Sequence, residues 1–153
     1  MYLISCLRAR VGYLHRVMTE LDEAAIERLV RQFYGQVRSD PMLGPVFAHA
    51  IGEDDDAWEA HFARLTDFWT SVMLRSGRYH GDPFSVHLRL PDITPAMFER
   101  WLGVFHATSA ALFTADIAAE FGEKAERIAR SLKMGLFERL PGIASSPVNV
   151  RVA

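Results

Sequence analysis

Apolar residues along this chain recur at helical spacing, and no segment shows the period-two alternation a strand requires. From Asp22 the positions Ile26, Leu29, Val30, Phe33 and Val37 repeat at i, i+3 and i+4, and Asp40-Pro41 stops the run. The short segment Leu43-Gly44-Pro45-Val46-Phe47 reads as a turn or a single helical turn. A second long helix begins near Asp54, Asp55 and Asp56, where carboxylates suit the positive end of a helix dipole. Its apolar face is Trp58, Phe62, Leu65, Trp69 and Val72, and it ends at Ser76-Gly77. Thr94-Pro95 opens a third as N-cap and first helical residue, with Phe98, Trp101, Leu102, Phe105 and Leu112 on the buried stripe. The last long helix carries Ile117, Phe121, Ala125, Ile128, Leu132 and Leu136 and ends before Pro141. The pattern predicts an all-α fold.

Between the second and third long helices lies a short element, Asp82-Pro83-Phe84-Ser85-Val86-His87-Leu88-Arg89-Leu90-Pro91. Asp82 suits an N-cap and Pro83 the first helical position, while Pro91 and its constraint on Leu90 close it. At most two turns fit, short of the roughly 12–15 residues an isolated helix needs to be even marginal in water. Contacts from elsewhere must therefore hold it. A histidine on such a helix, beside Val86, Leu88 and Leu90, suits a metal centre in an apolar pocket. A satisfied histidine on a connector is the plainer reading of His87 taken alone.

Composition narrows the function classes. The 153 residues are 50% hydrophobic and 24% charged, with a formal net charge of −2 and no basic stripe, which argues against nucleic acid or an anionic membrane as partner. One cysteine, Cys6, allows no internal disulfide and suits a reducing compartment. The apolar run Tyr2 to Leu7 is followed, not preceded, by its basic residues, unlike a secretory signal, and nothing approaches a membrane span. A cytoplasmic protein is expected. Residues 1–18 read as an N-terminal arm outside the core, 19–140 as the folded domain, and 141–153 as a tail.

The motifs Phe33-Tyr34, Leu43-Gly44-Pro45-x-Phe47, Trp58-x-x-His61, Phe68-Trp69, Tyr79-x-Gly81-x-Pro83, His87-Leu88-x-Leu90-Pro91 and Phe98-x-x-Trp101-Leu102 occur in that order over residues 20–138. As a set they resemble the truncated haemoglobins, specifically the group III branch. The resemblance implies a shortened globin fold, a two-over-two helical sandwich around haem b. It makes His87 the proximal ligand of the iron, with the carbonyl of Pro83 or Phe84 as acceptor for its second ring nitrogen. Tyr34 and Trp101 become distal hydrogen-bond donors to bound dioxygen or another diatomic ligand, and His61 a distal residue near the pocket mouth. Phe47, Phe62, Leu65, Trp69, Leu88, Ile93, Phe98 and Leu102 are candidates for the apolar wall. Arg75, Arg78 and Arg89 could meet the propionates, although a solvated surface role is the plainer reading of each. Reversible ligand binding is the leading function. The alternative is a haem-dependent redox enzyme, oxidising nitric oxide or using peroxide, which would need a separate reductase because no flavin or nicotinamide fingerprint is present. A haem-free helical module is the third class.

Overall fold

The computed structural model describes residues 17–138. Among these the chain forms six helices: α1 (Glu23–Ser39), α2 (Gly44–Ile51), α3 (Asp55–Leu74), α4 (Pro83–Leu88), α5 (Pro95–Leu112) and α6 (Ala115–Phe137). Three starts follow the expected capping chemistry, while Thr94 stands at the N-cap of α5 without a side-chain capping bond. The carboxylates of Asp22, Asp54 and Asp82 accept from the backbone N–H groups of Ala25, Ala57 and Ser85, at 2.8, 3.0 and 3.2 Å. Pro83 and Pro95 sit in the first turns of α4 and α5, where a missing N–H costs nothing.

One boundary differs from the expectation. The segment at Leu43–Phe47 is the start of a full two-turn helix, α2, and not a lone turn. The reason is the Asp40 carboxylate, which accepts from the N–H groups of Met42 and Leu43 at 2.9 and 3.0 Å and so organises the helix entrance. Gly44 is needed there, because a Cβ at that position would stand 2.7 Å from the Arg38 carbonyl oxygen.

The helices pack as two pairs, α1 on α3 and α5 on α6, joined where α1 crosses α5; α4 rests on α6. The α1 stripe is fully buried, with Ile26, Leu29, Phe33 and Val37 all without exposed surface. Each such side chain contributes roughly 1.5–3 kcal/mol of burial. Across the layer Trp101 stacks on Phe105 at 5.3 Å between ring centres, and Phe105 on Trp69 at 4.9 Å. This ladder ties α5 to α3 with flat, rigid surfaces.

α4 buries none of its residues completely, as a two-proline stub suggests. Its hold on α6 includes Phe84, whose ring lies where a Cβ at position 135 would be, so Gly135 makes that approach possible. Met18, assigned from the sequence to the arm, joins the core edge: its N–H donates to the Leu112 carbonyl at 2.8 Å and its carbonyl accepts from Thr114 at 3.2 Å. Residues 1–16 of the arm, His15 among them, and the tail lie outside the described residues. No described helix is long and apolar enough to cross a membrane.

Candidate functional site

A cavity of about 260 Å³ separates α1, α2 and α3 from α4, α5 and α6, and side chains from all six helices reach it. Most of its lining is apolar: Val46, Phe47 and Ile51 from α2, Leu65, Phe68 and Trp69 from α3, Met97 and Phe98 from α5, Ile128 and Leu132 from α6. Val86, Leu90 and Ile93 add to this on the α4 side. The polar exceptions are Tyr34, His61, Arg64, Tyr79, His87 and Trp101.

Of the eight wall residues named from sequence, Phe47, Leu65, Trp69, Ile93 and Phe98 line this space. Phe62, Leu88 and Leu102 do not. Each directly follows a residue that does, and one helical step turns a side chain by about 100°. Phe62 follows His61 and faces Trp58, at 5.8 Å, with the Arg31 guanidinium over its ring. Leu88 follows His87 and is 56% exposed, and Leu102 follows Trp101 and packs on the hydrophobic core instead.

His87 is held by its own helix. Its Nδ1 lies 2.6 Å from the Pro83 carbonyl oxygen one turn back. A carbonyl only accepts, so Nδ1 carries a proton, and in the neutral ring the lone pair falls to Nε2. The ring borders the cavity and neighbours Phe98 at 6.2 Å. Pro83 suits this position, since its ring fixes the backbone of the first turn, where a missing N–H costs nothing.

On the other wall Tyr34, 5% exposed, sits edge-on to Phe33 at 4.7 Å and to His61 at 5.5 Å. Burial raises its phenol above the ordinary range, and the nearby Trp101 indole opposes that rise only in part. Tyr34 therefore remains a protonated donor at all neutral pH values. Trp101 adds an N–H that can donate but never accept.

His61 is the least satisfied group here. Its Nε2 is buried without any hydrogen-bond partner. Burial, assisted by the positive charge of Arg64, pushes its imidazole down to about 4, so it is neutral near pH 7. A buried polar atom left orphaned normally costs about 1–3 kcal/mol, which marks the space beside it as a place for a ligand.

Arg64 was not singled out from the sequence, although it lies three residues after His61 and thus on the same helix face. It is exposed, borders the cavity, and forms no ion pair among the described residues. The three arginines considered for an anionic edge fare differently. Arg78 is committed to Glu23 at 2.9 Å, Asp67 at 3.3 Å and the Thr70 hydroxyl at 3.2 Å. Arg75, in left-handed conformation, caps α3, and neither it nor Arg89 borders the cavity. Among the other described histidines, His49 and His80 are exposed and His106 meets Glu126 at 3.1 Å, all away from the cavity.

Among the described residues no three His, Cys, Asp or Glu side chains cluster to hold a bare metal ion. A metal bound at His87 would have to bring its remaining ligands with it. A flat apolar macrocycle fits that requirement: apolar walls on two sides, a fixed imidazole lone pair, an unpartnered His61 nitrogen and a free cation at the edge.

No family model matches the chain. A curated relative, the group 3 truncated hemoglobin ctb of Campylobacter jejuni, is 32% identical over 118 residues, spanning 77% of this chain and 93% of that protein. The crystal structure of the group III truncated hemoglobin from Campylobacter jejuni aligns with a TM-score of 0.77 at 31% identity, over 80% of this chain and 96% of the other.

Proposed function

The chain belongs to the group III truncated haemoglobins, globin-type haem proteins, and on that basis we propose that it carries haem b in the α3–α4 cavity and reversibly binds dioxygen or another diatomic ligand. The observation that carries this reading is the His87 ring, with Nδ1–H tied to the Pro83 carbonyl and the lone pair of Nε2 left free at the cavity wall.

When bound, haem would supply an iron centre able to take a diatomic ligand, with His87 as its protein ligand. Every other contribution comes from the chain. His87 provides the protein ligand, and the carbonyl behind it fixes its tautomer and ring orientation while raising its basicity. Leu65, Trp69, Phe98, Ile128 and Leu132 exclude water, so hydrogen bonds inside the cavity are stronger than they would be in solvent. Arg64 would hold a propionate at the mouth, in place of Arg75, Arg78 and Arg89, none of which borders the cavity.

Tyr34 and Trp101 donate into the distal space, where a ligand with partial negative charge satisfies them. His61, kept neutral, presents a ring nitrogen to the same space. Holding a ligand through two donors slows its escape, each bond contributing on the order of 1–2 kcal/mol.

The test is reconstitution followed by ligand kinetics. Purified protein loaded with haem is expected to show an intense Soret band and to bind CO and O2 reversibly, with both Tyr34→Phe and Trp101→Phe accelerating O2 release. A protein that takes up no haem, or whose O2 release ignores both substitutions, contradicts the reading.

A further inference from the structure

We propose that Asp40 and Arg100 are positioning residues for the distal pocket: one ion pair sets the relative placement of α1, α2 and α5, and through them that of Tyr34, Phe47 and Trp101. This rests on the distal role given above to Tyr34 and Trp101, and adds residues that touch neither haem nor ligand.

Asp40 is unusual in being a carboxylate with a side chain only 4% exposed. Its two oxygens are divided between different elements. Oδ1 accepts the N–H groups of Met42 and Leu43 at the entrance to α2. Oδ2 receives Arg100 of α5 twice, through Nε at 2.7 Å and a terminal guanidinium nitrogen at 2.7 Å. The backbone of Asp40 meanwhile closes α1, its N–H donating to Val37, and its carbonyl accepts from Gly44 at 2.8 Å. One residue thus joins three helices, each of which sends a side chain to the cavity.

The charge is kept where it is needed. Burial alone would push the Asp40 carboxyl up, but the Leu43 and Met42 amides and the Arg100 guanidinium outweigh it and hold the group below the ordinary carboxylate range. Asp40 is therefore ionised throughout the neutral range. A two-pronged guanidinium contact fixes angle as well as distance, which a point charge does not.

The link to the ligand is short. Trp101 directly follows Arg100 on α5, so holding the guanidinium at Asp40 limits both rotation and sliding of the helix that carries the indole. Phe47, on the α2 that Asp40 starts, stands 5.8 Å from the Tyr34 ring and 6.4 Å from His61. A Cβ at Gly44 would meet the Arg38 carbonyl, so the α1–α2 corner has no slack to absorb a lost contact. Arg100 itself is half exposed and does not line the cavity, so its removal leaves the wall chemistry unchanged.

The experiment compares O2 release from haem-loaded wild type, Arg100→Gln, Trp101→Phe and the double variant, together with amide hydrogen exchange at Met42 and Leu43 in protein without haem. Arg100→Gln is expected to speed O2 release about three- to tenfold, and to speed exchange at both amides. In the Trp101→Phe background the same change is expected to have a smaller effect, because only the route through α2, Phe47 and Tyr34 remains. Arg100→Lys should fall between wild type and Arg100→Gln; if Arg100→Gln does not fold, Arg100→Lys in both backgrounds provides the comparison. Unchanged release in Arg100→Gln, or an equal effect in both backgrounds, overturns the proposal. If Trp101→Phe alone leaves O2 release unchanged, it is the distal role of Trp101 that fails, and the hydrogen-exchange result then reports on the ion pair by itself.

Discussion

Replacing Tyr34 with phenylalanine removes one oxygen atom from the cavity and almost nothing else. The Tyr34 ring is fixed by Phe33 at 4.7 Å, His61 at 5.5 Å and Phe47 at 5.8 Å, and a phenylalanine ring keeps all three contacts. The lost term is the hydroxyl's hydrogen bond to a ligand in a dry space, about 1–2 kcal/mol. At 1.36 kcal/mol per decade, O2 release should quicken by about 5- to 30-fold. Thermal stability should move by less than about 1 kcal/mol, because the hydroxyl lacks a charged partner whose loss would leave a buried ion exposed. Since burial holds the phenol above its ordinary range, the effect should also be flat between about pH 6 and pH 9. Stopped-flow displacement of O2 by excess CO, followed in the Soret region for wild type and Tyr34→Phe, reads the rate directly. A change below about twofold, or a rate gain matched by a large loss of stability, would refute the assignment of a ligand-specific bond to this hydroxyl.

Three further outcomes follow from the same geometry. The unfolded chain binds a proton at His61 below pH ~6.5, whereas the folded chain refuses it until about 4, so stability without haem should fall as pH drops through that window, by no more than about 3 kcal/mol; pH-dependent denaturation of His61→Leu should show a shallower slope there, and an identical slope would remove His61 as the cause. Arg64→Gln should speed haem transfer to an acceptor apoglobin by up to about fivefold at low salt, with the difference shrinking as ionic strength rises; equal loss rates at low salt would detach Arg64 from the propionates. Gly44→Ala should destabilise the chain by about 1–3 kcal/mol in thermal melts, because its new Cβ meets backbone and not a movable side chain; a variant as stable as wild type would show that the α1–α2 corner relaxes.

Much of the fold was legible because its boundaries are written in local chemistry. Asp22, Asp54, Asp82 and Thr94 stand before helices, and prolines at 41, 83, 91 and 95 limit where each can run. The α2 helix was read short because part of its entrance is capped by a carboxylate at the end of the preceding helix, a tertiary detail with little trace in periodicity. Candidate polar residues were also legible, since Tyr34, His61, His87 and Trp101 all border one cavity. The wall was harder. A helical stripe identifies a buried face but cannot separate residues facing a neighbouring helix, such as Phe62, from those facing a cavity, such as Leu65. On and just after α4 the apolar residues 86, 88 and 90 follow no helical period, so the pattern does not separate exposed Leu88 from Val86 and Leu90, which line the space. Ile128 and Leu132 belong to the apolar stripe of the last helix, and their spacing gives no hint of a cavity beside them. Arg64 had a usable signal, its position one turn beyond His61, which a scan for free cations on the His61 face would have found.

The claim on which the rest depends is that the His87 imidazole holds the iron. Resonance Raman and absorption spectra of the haem-loaded ferrous protein test it most directly, comparing wild type, His87→Gly, and His87→Gly supplied with free imidazole. The account predicts an iron–histidine stretching band in wild type, its loss in the glycine variant with a shifted Soret band, and its return when imidazole fills the space beside Pro83. A glycine variant that keeps the wild-type band and Soret maximum without added imidazole would show that another residue holds the iron.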